Sequence, residues 1–350
     1  MSPGGGLEAM LAAATAPVKP ILQVQDLEMH FVKKEGVFVQ REAARVRAVN
    51  GVSFDLKPGE TLGLVGESGC GKSTTARAVL QLHRPTKGRV LFQGQDLCKL
   101  SGEPLRRVRK DLQMIFQDPY ASLDPRWTVG TIIAEPITNF ESLSRAQLRD
   151  RVRELMTLVG LDTDWVDRYP HEFSGGQRQR IGIARSLALN PKVVFCDEPV
   201  SALDVSIQAQ IINLLEELQA KLNLAYVFIA HNVAVVRHLS HRVAIMYLGR
   251  IVEIADRDPI YEDTRHPYSR ALLGAVPIPD PRLERKRVRV ILEGNLPSPA
   301  MERHGCDFAS RCPLRPKVDK ELRCEKERPE LLPMAGKPAH LVACHYHDLQ

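Results

Sequence analysis

The sequence predicts an α/β fold in which helices cover both faces of a mostly parallel sheet. Short apolar runs typical of buried strands occur at residues 61–65, 193–196, 226–230 and 243–247. Between two of them, apolar residues recur at helical spacing at Ile207, Ile211, Leu214, Leu218 and Leu222. Strands that alternate with helices in this way favour a parallel sheet.

Composition limits the class of protein before any motif is considered. The chain has 350 residues, of which 44% are hydrophobic and 26% charged, as in ordinary globular proteins. No window approaches the roughly 20 apolar residues that span a bilayer, and no basic stretch precedes the apolar residues 11–14, which argues against a signal peptide. The net charge of +6 fits an anionic nucleotide or a membrane face, and we do not expect a nucleic-acid partner.

The N-terminal region is predicted to contain two strands before the core begins. Residues 21–31 and 46–56 alternate loosely between apolar and polar side chains, which indicates strands. Residues 33–36, Lys-Lys-Glu-Gly, are interpreted as a turn or an inserted loop between them. Residues 1–19 contain three consecutive glycines and are predicted to form a flexible tail.

A glycine loop follows the strand at residues 61–65 and precedes a helix predicted at residues 74–82. It fits G-x-x-x-x-G-K-[ST] and reads Gly66-Glu67-Ser68-Gly69-Cys70-Gly71-Lys72-Ser73. Glycines let successive backbone N–H groups face an anion, and the helix presents its positive end to the same phosphates. Lys72 is predicted to reach the β- and γ-phosphates of a nucleoside triphosphate, Ser73 to ligate Mg²⁺, and Thr74 to add a phosphate contact.

Two acids at the end of a later apolar run are a second sign of phosphate chemistry. Asp197 follows that run at the carboxyl edge of the predicted sheet, where parallel sheets bind ligands, and is predicted to hold Mg²⁺. Glu198 is the candidate general base or water-orienting group for hydrolysis. His231 follows the next core strand and is predicted to position Glu198 and bind a phosphate oxygen. Gln117 ends another candidate strand and is a candidate ligand of Mg²⁺ or of the attacking water.

Residues 130–173 are predicted to form a helical insertion in the α/β core. Residues 144–147 fit a capping box, and apolar residues recur at helical spacing after it. The helix predicted at residues 177–189 is then opened by Ser174-Gly175-Gly176-Gln177. Two glycines at a helix N-terminus form a second anion site. A chain with two phosphate sites and one triphosphate loop therefore favours head-to-tail pairing of two molecules.

Over residues 20–265 the sequence resembles the ATP-binding cassette (ABC) family. The resemblance rests on the glycine loop, the acidic pair and residues 173–177, which are similar to the family signature Leu-Ser-Gly-Gly-Gln with Phe173 in place of leucine. It implies a P-loop NTPase core with a mostly parallel sheet, an antiparallel β subdomain and a helical subdomain at about residues 118–173. It also implies ATP as the nucleotide, bound with Mg²⁺.

The same resemblance implies roles for individual residues. Gln117 looks like the Q-loop glutamine, His231 like the switch histidine, and Phe31 occupies the place of an aromatic that stacks on adenine. The D-loop is implied at Ser201-Ala202-Leu203-Asp204. In the family picture, two cassettes close around two ATP molecules, each between the Lys72 loop of one subunit and the Ser174 motif of the other, and hydrolysis at Glu198 reopens the dimer.

A narrower resemblance concerns residues 117–126 and His266-Pro267-Tyr268, which look like segments of oligopeptide and dipeptide importer ATPases. It implies ATP-driven peptide uptake at the cytoplasmic face of the cell membrane, with nickel or another small solute as an alternative cargo. The implied partners are a second, similar ATPase subunit, two transmembrane permease subunits and, indirectly, an extracytoplasmic peptide-binding protein. A soluble ABC ATPase without a transport role is the less favoured alternative, because such chains usually carry two cassettes.

The last region, residues 266–350, is predicted to be a small C-terminal extension that contains four of the seven cysteines. They are spaced C-x5-C-x11-C-x19-C, at Cys306, Cys312, Cys324 and Cys344. Four thiolates suit zinc or an iron–sulfur cluster. The extension resembles that of peptide importer ATPases, for which a 4Fe–4S cluster is implied. The prediction is therefore a 4Fe–4S cluster, with zinc or unliganded thiols as the alternatives.

Overall fold

A computed structural model gives the architecture of most of the chain. The structure describes residues 18–35, 41–275, 282, 297–298, 300–301 and 304–349. Most of the predicted flexible tail, Gly36 and much of the proline-rich and basic stretch after residue 275 lie outside the described residues.

The main sheet has eight strands in the described ranges, in the order β11-β12-β10-β9-β3-β8-β7-β6. Five neighbours, β9-β3-β8-β7-β6, run parallel, as the alternation of strands and helices predicts. Every residue of β3, β7 and β8 is buried, because helices cover both faces. The strand bounds are β3 Thr61–Val65, β6 Leu112–Ile115, β7 Val193–Asp197, β8 Ala225–Ile229, β9 Arg242–Tyr247, β10 Arg250–Asp256, β11 Leu332–Met334 and β12 Lys337–Val342.

A second, antiparallel sheet has the order β2-β1-β4-β5. Its strands are β1 Leu22–Glu35, β2 Arg41–Leu56, β4 Lys87–Phe92 and β5 Gln95–Asp96. The prediction of a turn or loop at residues 33–36 is wrong for residues 33–35, which continue β1 and pair with residues 41–44 of β2. This sheet is the antiparallel β subdomain that the family resemblance implies.

Helices pack on both faces of the main sheet and form two hydrophobic clusters, one on each side. Helix α1 begins at Lys72, two residues before the predicted start, so Lys72 and Ser73 lie in its first turn. The helices of the core are α1 Lys72–Val79, α2 Gly102–Val108, α5 Gly175–Leu187, α6 Val205–Leu222 and α7 Val233–Leu239.

The helical insertion consists of α3 Val129–Phe140 and α4 Arg145–Leu158, followed by short 3₁₀ turns at Thr163–Asp167 and Pro170–Glu172. Residues 129–173 are all described and contain no strand. The predicted capping box forms at the start of α4. The Gln147 backbone N–H donates to the Ser144 hydroxyl, and the side-chain oxygen Oε1 of Gln147 accepts from the Ser144 N–H.

The C-terminal extension joins the core sheet directly. Helix α8 Arg257–Glu262 precedes it, and it contains α9 Pro267–Gly274, α10 Arg315–Val318, α11 Arg323–Lys326 and the strands β11 and β12. Strand β12 pairs with β10, so that Glu253 lies opposite Val342. Two backbone N–H groups, of Arg265 and His266, donate to the fully buried Glu253 carboxylate, and His340 Nε2 lies 2.7 Å from it. These contacts fix the start of α9 against the core.

In the part of the chain that the structure describes, no helix combines the length and the apolar character needed to cross a bilayer.

Candidate functional site

The phosphate loop connects β3 to α1 and makes tight backbone contacts that only glycine allows. Gly71 has φ +110°, and a Cβ there would lie 2.2 Å from the Ala48 carbonyl oxygen. Gly69 also has a positive φ, of +77°, but a Cβ there would meet no atom within 4 Å. Gly71, which the sequence pattern specifies, is therefore favoured for a steric and a conformational reason, whereas Gly69, which the pattern leaves open, is favoured for a conformational reason alone.

This difference gives a matched pair of substitutions. Gly69→Ala is expected to lower the free energy of unfolding by about 1 kcal/mol, because only the backbone conformation is unfavourable. Gly71→Ala is expected to lower it by about 3 kcal/mol, because the new methyl group also overlaps the Ala48 carbonyl. Urea unfolding with unchanged m-values measures both. Equal losses would show that the contact with Ala48 does not constrain the loop.

Lys72 is buried and holds the loop closed through its ammonium group. Nζ donates to the Gly66 carbonyl at 2.9 Å and to the Glu67 carbonyl at 3.0 Å. The side chain is only 4% exposed. The Lys72 ammonium group therefore faces the loop backbone. According to the motif, this is the backbone that surrounds the phosphates.

Two side chains whose oxygens are predicted to ligate Mg²⁺ contact each other at the end of the loop. The Ser73 hydroxyl donates to Asp197 Oδ1 at 2.6 Å, and Asp197 is 1% exposed at the end of β7. A hydroxyl and a carboxylate are the ligand types that Mg²⁺ prefers, so the donor set fits this ion. The ion would neutralise phosphate charge when bound.

Glu198 lies at the centre of the three predicted catalytic residues. Gln117 Nε2 donates to its Oε2 at 2.8 Å, and His231 Nε2 lies 2.5 Å from its Oε1. Glu198 is 6% exposed and has φ +50°, a strained conformation for a residue other than glycine. Such strain occurs most often at functional sites. The structure therefore brings Gln117, Glu198 and His231 together, and their catalytic roles stay predictions.

The other residues predicted to bind ATP surround the loop. Ser68 and Gly69 are exposed, Thr74 is half-buried in the first turn of α1, and burial raises the pKa of the Cys70 thiol.

Phe31 is 40% exposed, and its ring makes an edge contact with His83 at 5.7 Å. An exposed ring can stack on a base. Adenine stacking on Phe31 stays a prediction.

The predicted signature motif forms the start of α5. Ser174 is exposed and caps the helix, since its hydroxyl accepts from the Gln177 N–H and Gln177 Oε1 accepts from the Ser174 N–H. A Cβ at Gly176 would lie 2.5 Å from Ile207 of α6, and one at Gly175 would lie 3.2 Å from Leu203. The two glycines therefore let α5 approach the neighbouring segment closely.

The predicted D-loop, Ser201-Ala202-Leu203-Asp204, connects Glu198 to α6. The Ser201 N–H and hydroxyl both donate to the Glu198 carbonyl, at 3.2 and 3.1 Å. Asp204 is the residue that precedes α6. The loop therefore links the backbone of Glu198 to the glycines of the signature motif.

The prediction of an iron–sulfur cluster is wrong, and the zinc alternative has no support. In the described ranges, no group of three or more His, Cys, Asp or Glu residues is arranged to hold a metal ion. The four C-terminal cysteines line one cavity of ≈ 20 Å³, about the room for one water molecule. Burial raises the pKa of Cys306, Cys324 and Cys344 to about 12, and also raises that of Cys312.

Two residues without a predicted site role touch the phosphate loop. The Glu67 N–H donates to the Tyr268 hydroxyl, and Arg311 Nη1 donates to the Glu67 carboxylate. Tyr268 enters the sequence predictions only through the family resemblance, and no sequence pattern indicates Arg311. The one sequence feature that could have indicated a basic partner is Glu67, an acid within an anion-binding loop.

Comparison with known protein families gives two matches. The ABC transporter family matches residues 49–201, which include the phosphate loop, the signature motif and the acidic pair. The family described as the C-terminal region of oligopeptide/dipeptide transporters matches residues 252–318. The second match covers both Tyr268 and Arg311.

Individual relatives extend the similarity over nearly the whole chain. The oligopeptide transport ATP-binding protein AppF of Bacillus subtilis is 52% identical over 329 residues, which are 94% of this chain and 98% of the relative. The oligopeptide transport ATP-binding protein OppF of Salmonella typhimurium is 52% identical over 93% of this chain and 96% of its own. A dimeric structure of the ATP-binding cassette MJ0796 with ADP and Pi has a TM-score of 0.59 at 26% identity, over 67% of this chain and 98% of that one.

Proposed function

Since the chain belongs to the ABC transporter family and to its oligopeptide branch, we propose that it hydrolyses ATP to power the uptake of peptides across a membrane. The observation that carries the proposal is the convergence of Gln117, Glu198 and His231 next to the Ser73–Asp197 pair. The cargo class rests on the relatives named as oligopeptide transport ATP-binding proteins, which the chain matches over nearly their whole length.

Each side chain of the site is assigned a separate role in hydrolysis. Lys72 and the loop N–H groups bind the phosphates. Ser73 and Asp197 would hold Mg²⁺, for which Gln117 is a further candidate ligand. Glu198 orients or deprotonates the attacking water, and His231 fixes one of its oxygens.

A second ATPase subunit completes the site in this proposal. Ser174 is exposed at the N-terminus of a 13-residue helix, where an anion is stabilised. The MJ0796 cassette forms a dimer in its structure with ADP and Pi. We infer that two subunits, similar but distinct, face each other so that each phosphate loop lies opposite the Ser174 motif of the other.

Permease subunits are proposed to contact the groove between the core and the helical insertion. This groove has a volume of ≈ 680 Å³ and contains the partly exposed Phe116 beside Gln117. Because the groove adjoins Gln117, a movement of a permease bound in the groove would be transmitted through Gln117 to the catalytic residues. The proposal therefore includes two transmembrane permeases and an extracytoplasmic peptide-binding protein, with this chain at the cytoplasmic face of the membrane.

Uptake of labelled peptides tests the proposal in cells that lack this chain. The wild-type chain is expected to restore ATP-dependent accumulation of a radiolabelled tripeptide and to co-purify with permease subunits in mild detergent. Unlabelled peptide should compete with the label, and Ni²⁺ should not. Recovery of the chain without any membrane partner, or restored uptake of Ni²⁺ in place of peptide, would contradict the proposal.

A further inference from the structure

We infer that the C-terminal extension braces the phosphate loop, and that Arg311 and Tyr268 are positioning residues for ATP binding. Both residues hold Glu67, the second residue of the loop, from outside the cassette core. The inference rests on the proposed function of the loop as the ATP site. It assigns to the extension a role in setting ATP affinity.

Arg311 forms an ion pair with Glu67. Its Nη1 lies 3.2 Å from Glu67 Oε1 and 3.1 Å from Oε2, so one guanidinium nitrogen contacts both carboxylate oxygens. The Arg311 side chain is 9% exposed and that of Glu67 is 28% exposed. Since water is largely excluded from the guanidinium, this pair is screened less than an ion pair at the surface.

Tyr268 holds the backbone of the same loop residue. The Glu67 N–H donates to the Tyr268 hydroxyl at 2.9 Å. The tyrosine ring is fully buried against Tyr247 and Phe308, with ring centroids 4.6 and 5.5 Å away. Phe308 also lies three residues before Arg311, which donates weakly to the Tyr247 hydroxyl at 3.5 Å. One aromatic cluster therefore places both contacts to Glu67.

The cluster is fixed to the core sheet by buried polar contacts. Glu253 of β10 accepts from the His266 N–H at 3.0 Å, and His266 Nδ1 accepts from the Tyr268 N–H at 3.1 Å. The other carboxylate oxygen of Glu253 lies 2.7 Å from Nε2 of His340 in β12. Tyr268 thus has little freedom to move, which makes it a rigid support for the loop.

The charge of Glu67 explains why this brace matters for ATP. A carboxylate within a loop that binds a triphosphate repels the ligand, and Arg311 neutralises it. The Glu67 carbonyl also accepts from Lys72 Nζ, at 3.0 Å. The side chain, N–H and carbonyl of Glu67 are therefore all held, which lowers the cost of ordering the loop around phosphate.

Arg311→Ala is expected to raise the Kd for ATP with Mg²⁺ about tenfold, since it leaves the Glu67 carboxylate unneutralised in the loop. The kcat at saturating ATP should stay within about twofold, because Arg311 does not touch the residues around Glu198. Calorimetric titration of the full-length chain measures Kd, and steady-state hydrolysis separates KM from kcat. Arg323→Ala is the matched control, because Arg323 pairs with Glu327 elsewhere in the extension.

Rescue by a second substitution separates charge from packing. In Glu67→Gln, the carboxylate is gone, so adding Arg311→Ala should change Kd less than about twofold. Tyr268→Phe keeps the buried ring, removes only the acceptor of the Glu67 N–H, and is expected to raise Kd about threefold.

The inference is overturned if Arg311→Ala binds ATP as the wild type does, or if its loss of affinity is the same in the Glu67→Gln background. A lowered melting temperature together with an unrescued Kd would likewise assign Arg311 to packing alone. Lys72→Ala, measured in parallel, distinguishes these results from failure of the proposed function. Weak binding by Lys72→Ala with normal binding by Arg311→Ala refutes only the brace, whereas normal binding by both refutes the ATP role of the loop.

Discussion

A Glu198→Gln variant is expected to bind ATP with near wild-type affinity and to hydrolyse it about 10²–10⁴ times more slowly. The substitution keeps the size of the side chain and its hydrogen-bonding carbonyl oxygen. It removes the negative charge that lies between Gln117 Nε2 and His231 Nε2. The new amide cannot accept a proton from water, so the loss falls on kcat and leaves the phosphate loop unchanged.

Single-turnover hydrolysis and light scattering with ATP and Mg²⁺ measure the two consequences of this substitution. Because closure by ATP would no longer be followed by hydrolysis, the variant is expected to accumulate as a stable dimer with its ATPase partner. Glu217→Gln, on the exposed side of α6, is the control and should behave as wild type. Rapid turnover by Glu198→Gln would remove this residue from the chemistry.

The placement of the residues with predicted roles in catalysis and Mg²⁺ binding could be predicted because each lies at or just after the end of a core strand. Asp197 is the last residue of β7, while Gln117 and His231 lie just after β6 and β8. Parallel strands end at the same edge of a sheet, so local patterns alone bring these side chains together. The contact of His231 with Glu198 is the predicted one, whereas the hydrogen bond from Gln117 to Glu198 needs the fold, because the sequence assigns Gln117 to Mg²⁺ or to the attacking water.

The wrong prediction at residues 33–35 has a physical reason. Strand β1 pairs with β4 only as far as Glu28, and from His30 onward it pairs with β2 alone. A two-stranded ribbon beyond the sheet needs no alternating apolar face. Without that alternation, the charged residues of this segment resemble a loop.

The C-terminal region was predicted least well, because its structure depends on contacts between distant residues. Arg311 and Glu67 are 244 positions apart, and no local pattern connects them. The cysteine spacing indicates a ligand set, but it carries no information about burial or about the small cavity that the four thiols share. Strands β11 and β12 are likewise not predicted, since β12 pairs with β10, which lies about 80 residues earlier, and β11 joins the sheet only through β12.

Lys72→Ala is expected to weaken ATP binding about 10- to 100-fold, because it removes a charged hydrogen-bond donor from a phosphate site. In the structure, the ammonium group donates to the Gly66 and Glu67 carbonyls, so it is the cation closest to the loop backbone. Alanine removes this cation and also leaves the two carbonyls without their donor. The phosphates would then be bound within the loop by its backbone N–H groups, without a loop cation.

Calorimetric titration with ATP and Mg²⁺ measures this loss, and thermal unfolding shows whether the fold is retained. Lys221→Ala, at the exposed C-terminal turn of α6, removes the same charge away from the loop and should bind ATP as wild type. The affinity of Lys72→Ala should also depend less on salt, because one direct charge contact to phosphate is gone. Unchanged affinity in this variant would mean that the triphosphate binds elsewhere, because no arrangement of the loop backbone alone replaces a buried cation.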